Sequence, residues 1–169
     1  QGVAWEKWHG RGERSGHLED YAGYLEGCDI ACFDIYPAAH DNLAVKDALW
    51  HVPLGVRRLR EWSGDTKPVW VHMESGIISA PGSEPTPLQV KAEVWMALVH
   101  GALGIDYFVH QFKPNFNEHA LLDNPQMLAA VTAVNQQITS LARVLNSPTI
   151  AEGVVVESTN SKTPVHAMV

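Results

Sequence analysis

A parallel α/β fold is predicted by three features of this 169-residue sequence. Short β-like runs alternate with longer helical runs, which is the pattern of βαβ units and a parallel sheet. Helix-start residues stand directly before apolar stripes. The strand-like runs carry their polar side chains in phase on one face.

The elements follow in order. Gly2-Val3-Ala4-Trp5 is a short apolar run ending in Glu6 and reads as a first strand. After a Gly/Arg/Ser loop, His17 to Glu26 spaces Leu18, Tyr21 and Leu25 as a helix closed by Gly27. Cys28 to Tyr36 is a strand stopped by Pro37. Leu54 to Trp62 sets Leu54, Leu59 and Trp62 beside charged residues, with Pro53 suited to a first helical turn. A Ser-Gly-Asp-Thr turn leads into a strand over Lys67 to Glu74, and a Gly/Pro/Ser-rich loop runs to Pro85. Thr86-Pro87 has the N-cap and N1 signature of a helix reaching about Gly101. Gly104 to His110 is the fourth strand, and Asn124-Pro125 caps a helix through Leu145. Glu152 to Val169 reads as two β runs around a Thr-Asn-Ser-Lys-Thr-Pro turn. Asn146-Ser147-Pro148 divides an α/β domain, residues 1–148, from a β tail, residues 149–169.

Side chains two apart share a strand face. Val69, Val71 and Met73 oppose Trp70, His72 and Glu74; Ala31, Phe33 and Ile35 oppose Cys32, Asp34 and Tyr36. Ile105, Tyr107 and Val109 oppose Asp106, Phe108 and His110, and Val3 and Trp5 oppose Ala4 and Glu6. A parallel strand covered on both faces is almost continuously apolar. Here each strand places an acid, an imidazole or both on one face, mostly near its C-terminal end, where ligands bind in α/β proteins.

Composition narrows the function classes. Twelve Lys+Arg against 19 Asp+Glu leave a net charge of −7, without a basic run suited to nucleic acid or an anionic membrane. No apolar stretch approaches the ~18 residues of a membrane span, and no signal pattern is present, so compartment is left open. Starting at Gln1, the sequence reads as a processed form, a trimmed chain or a piece of something longer. Cys28 and Cys32 would lie ~13 Å apart along one strand, too far for a disulfide. The sequence has no GxGxxG, phosphate-binding GxxxxGK[ST] or GxSxG motif, and nothing calls for a cofactor. His72-x-Glu74 offers two metal ligands from one face, but no third stands at a recognisable spacing.

Three segments resemble the C-terminal half of a retaining (β/α)8-barrel glycoside hydrolase of the β-galactosidase and endo-galactanase superfamily. CDIACFDIYP resembles the sixth strand, KPVWVHMES the seventh, and QVKAEVWMALVHGALGIDYFVHQF the seventh helix and eighth strand. The resemblance covers most of residues 1–146 and implies an incomplete TIM barrel, strands five to eight, followed by a short β tail. Four or five strands cannot close an eight-stranded barrel, and open edges are normally paired or covered. A homodimer is the expected resolution. The superfamily's acid/base Glu follows an Asn on the fourth strand; Asn117-Glu118 is the sole Asn-Glu here and follows the last strand instead.

The resemblance makes Glu74 the nucleophile. Glu6, expected to end the first strand among Trp5, Trp8 and His9, is the leading acid/base candidate, with Asp34 next. A glycoside site mixes hydrogen-bonding groups with aromatic platforms. Trp5, His9, Tyr36, Trp70, His72, Asp106, Phe108, His110 and Gln111 supply that mixture for a small glycoside or oligosaccharide. The alternatives are a non-catalytic carbohydrate-binding or structural half-barrel, and a metal-dependent hydrolase.

Overall fold

In the computed structural model, residues 2–8, 12–78, 81–150 and 153–169 are described. Three strands, β1 (Ala31–Asp34), β2 (Val69–Glu74) and β3 (Gly104–Phe108), form one parallel sheet in sequential order. Parallel neighbours need a crossover, and helices supply both. Helix α1 (Asp20–Glu26) precedes β1, α2 (His51–Trp62) joins β1 to β2, and α3 (Pro87–Val99) joins β2 to β3. A single turn, α4 (Ala120–Asp123), and the long α5 (Pro125–Leu145) complete the chain's regular structure.

The starts of α3 and α5 follow the capping chemistry in the sequence. The Thr86 hydroxyl accepts from the Gln89 N–H at 3.2 Å, while the Gln89 side chain accepts from the Thr86 N–H at 2.9 Å. This reciprocal pair satisfies donors that a helix start would otherwise leave open. Asn124 accepts from the Met127 N–H at 3.0 Å, and a proline occupies the first turn of both helices.

The core lies between the helices and one face of the sheet. Ala31, Phe33, Val69, Val71 and Met73 are buried there against Val52, Val56 and Leu59 of α2 and Val94 and Ala97 of α3. At Gly55, α2 comes so close to β1 that a Cβ would lie 2.2 Å from the Phe33 ring. Helix α5 packs on α3 and buries Met127, Val131 and Val134, and Tyr107 of β3 donates to Asn135 at 3.0 Å. The opposite face is uncovered: Cys32 and Asp106 are exposed, and Trp70 is 40% exposed.

Two expected β regions are not strands. Residues 2–4 form a turn and Glu6–Trp8 a single 3-10 turn. Val3, Ala4 and Trp5 enter the core, but no strand takes their backbone groups. Side chains of α2 do so instead: Arg58 donates to the Val3 carbonyl at 3.0 Å and His51 Nδ1 to the Ala4 carbonyl at 3.1 Å. The described tail, residues 153–169, also contains no strand. Its expected turn is present, with Thr163 N–H donating to the Asn160 carbonyl at 2.9 Å. Val154 to Val156 are exposed; the tail returns with Ile150 N–H donating to the Val169 carbonyl at 2.8 Å and His166 beside His100.

Candidate functional site

The register of the sheet stacks the polar face in rows. Cys32 pairs with Trp70 and Trp70 with Gly104; Asp34 pairs with His72 and His72 with Asp106; Glu74 pairs with Phe108. In the first row, the indole of Trp70 lies over Gly104, where a Cβ would stand 2.5 Å from the ring. The missing side chain on β3 thus makes room for a flat, partly exposed aromatic plate. In the second row, His72 Nδ1 meets Asp106 Oδ2 at 2.8 Å, with Asp34 on the other flanking strand. This row presents an imidazole between two carboxylates to solvent.

The third row ends in Glu74, whose exposure is 0%. One carboxylate oxygen accepts from the Ala38 N–H at 2.7 Å and the other from the Ala39 N–H. Both donors belong to the loop that follows β1. That loop is folded back on itself by the Asp47 N–H, which donates to the Pro37 carbonyl at 2.9 Å. It is tied to α3 by Gln89, which donates to Asp47 at 2.9 Å. Tyr36, beyond β1, and Phe108, on β3, bring their rings to 5.7 Å across the strand that carries Glu74. Burial and the nearby carboxylates of Asp34 and Glu74 push the Tyr36 hydroxyl well above the ordinary phenol range.

Glu93 completes the arrangement, and the sequence reading did not single it out. It lies on α3, is 1% exposed, and neither of its oxygens has a donor in hydrogen-bond geometry. The group it faces is the Glu74 carboxyl. Burial pushes Glu74 up to about 7, against the pull of Glu93 and of the Ala38 and Ala39 N–H groups. Burial and the Glu74 charge push Glu93 up to about 11. At neutral pH the pair therefore holds a proton between its two carboxyls. The signal was present: Glu93 interrupts the buried stripe of Val90, Val94 and Ala97 on α3.

The other candidates separate. Glu6 does not end a strand; its side chain is 78% exposed and pairs with Arg58 of α2 at 3.0 Å, so no strand delivers it to the sheet face. Trp5 is buried, with its ring edge-on to His40 at 5.6 Å, and supports the loop behind Glu74 rather than offering a platform. His9 lies outside the described residues. Gln111 is bound into the turn after β3, exchanging backbone bonds with Asn117 and donating from its side chain to the Asn115 carbonyl at 3.3 Å. His110 is half-buried in an aromatic group, 5.4 Å from Phe108 and 6.0 Å from Phe116. Asp34, Trp70, His72, Asp106 and Phe108 therefore lie in rows on the strand face that ends in Glu74, with Tyr36 and His110 just beyond β1 and β3, whereas Glu6, Trp5 and Gln111 are engaged elsewhere. Among the described residues no three His, Cys, Asp or Glu side chains converge as a metal site, so His72 and Glu74 gain no third ligand. No helix among these residues is long and apolar enough to cross a membrane.

Compared with protein-family models, curated proteins and solved structures, the chain matches none.

Proposed function

We propose that the chain is part of a glycoside hydrolase, a half-barrel whose open sheet face receives the sugar and whose Glu74 is the reacting carboxyl. The observation that carries this reading is Glu74 itself: an acid at the C-terminal end of the central strand, beyond a row of polar groups on the same strand. Trp70 suits the apolar face of a sugar ring, and His72, Asp34 and Asp106 suit its hydroxyls. The fold alone does not select a sugar; the β-galactoside preference rests on the sequence resemblance.

In the retaining reaction, the Glu74 carboxylate attacks the anomeric carbon while the bond to the leaving oxygen breaks and that oxygen takes a proton from a carboxylic acid. Water then attacks the same carbon, returns its proton to that second group and frees Glu74. Asp34 is the second group in this reading. It stands on the adjacent strand, paired with His72 two residues before Glu74 on the same strand face. Reaction requires the groups packed around Glu74 to move aside, because its carboxyl has no exposed surface.

That burial favours a second reading, in which the face binds carbohydrate without turning it over. Both Glu74 oxygens are already bonded to the loop after β1, which is also the geometry of a structural clamp. Incubation with a panel of chromogenic aryl β-glycosides separates the two. Hydrolysis that falls by at least about a thousandfold in Glu74→Gln supports the hydrolase. Sugar binding without turnover supports the binding module, and turnover unaltered in the variant removes Glu74 from the chemistry.

A further inference from the structure

Away from the sheet face, α2, α3 and the returning tail enclose a cavity of about 560 Å³. That volume lies within the range of small-molecule sites, roughly 300–1,000 Å³. Its walls are aromatic and apolar: Trp50 at the start of α2, Trp95 on α3, and Pro164 on the tail. Its one permanently charged group is a guanidinium. Arg57 reaches the cavity, and His100 and His166 stand beside it with ring centroids 4.7 Å apart. No acidic side chain lines it, and Arg57 forms no ion pair among the described residues.

A guanidinium with no acidic side chain in the cavity wall stands out in a chain of net charge −7. It is felt by His100, whose pKa is lowered first by burial and then by His166, Arg57 and Arg60. Arg60 is already committed to Asp65 at 2.7 Å and to the His100 carbonyl at 3.1 Å. Arg57 is the guanidinium left to a ligand, and its planar fork matches a carboxylate in two parallel bonds. Indole walls favour a flat ring in offset or edge contact.

We propose that this cavity binds a small aromatic carboxylate, with the ring against Trp50 and Trp95 and the carboxylate on Arg57. The site shares no residue with the sheet face, so it stands or falls independently of the glycoside reading.

Calorimetric titration with naphthoate, and with naphthylmethanol as its uncharged counterpart, tests the assignment. The acid binds once per chain and at least about tenfold more tightly than the alcohol, the scale of one charge-assisted pair. Arg57→Gln, at an exposed position, retains the wild-type circular dichroism and brings the acid to the affinity of the alcohol. Trp95→Leu weakens both ligands. Equal binding of acid and alcohol, an unchanged acid affinity in Arg57→Gln, or no naphthoate binding up to millimolar concentration overturns the proposal.

Discussion

Glu74 and Glu93 are two buried carboxyls in a space that tolerates one charge. Their ordinary value is 4.5, and in the folded chain they stand at about 7 and about 11. A raised carboxyl binds its proton more tightly in the native than in the unfolded state. Its stabilising contribution is therefore complete below pH 4.5 and is lost as pH rises through the folded value. The wild type should lose stability as pH rises above about 4.5, by up to about 1.4 kcal/mol per pH unit for each extra native proton. His40 and His100, lowered chiefly by burial, act in the opposite sense near pH 6, but they are common to any variant compared. Glu93→Gln keeps the shape and a donor for Glu74 while removing one titration. Urea unfolding across that range should show the variant gaining on the wild type as pH rises. Parallel stability curves would mean that Glu93 carries no proton of consequence. The sequence exposed Glu93 only as an acid within an apolar stripe. The clamp from Ala38 and Ala39 was not legible, because backbone N–H groups carry no residue identity.

Elements with their own chemical signals were legible. Thr86-Pro87 and Asn124-Pro125 begin helices where expected, because local caps determine helix starts with little help from the rest of the chain. The alternation on Val69 to Met73 marked the buried and open faces of β2, since period-two patterning encodes which side meets the helices; Glu74, expected on the open face, is buried. Residues 2–5 and the tail share the apolar composition of strands, yet strand formation requires a neighbour to accept the ladder bonds. Neither segment has one; α2 side chains hold the first, and the second lies largely exposed. On the open face, Trp70 lies directly over Gly104. Gly104→Ala places a methyl where the indole lies and displaces the plate. A chromogenic glycoside should then bind several-fold more weakly, with KM rising more than kcat falls, as for loss of binding common to ground and transition states. An unchanged KM would show that sugar does not rest on Trp70.

At the scale of the molecule, a parallel sheet with one face bare departs from the usual burial of both faces. The chain accommodates this by placing Trp70, His72, Asp34 and Asp106 on the open side and its continuous apolar set under the helices. That polarity was readable from strand phase alone. The contact of Tyr36 with Phe108 was not, because it depends on a residue after β1 meeting one on β3 across β2. The central claim is that this face carries a reacting carboxylate. It is tested most directly by treating the protein with a fluorosugar β-galactoside bearing a dinitrophenyl leaving group and sequencing the labelled peptide by mass spectrometry. The account predicts one glycosyl ester, on Glu74, formed as dinitrophenolate is released. A protein that binds the glycoside and stays unlabelled, or one labelled at another carboxyl, would contradict it.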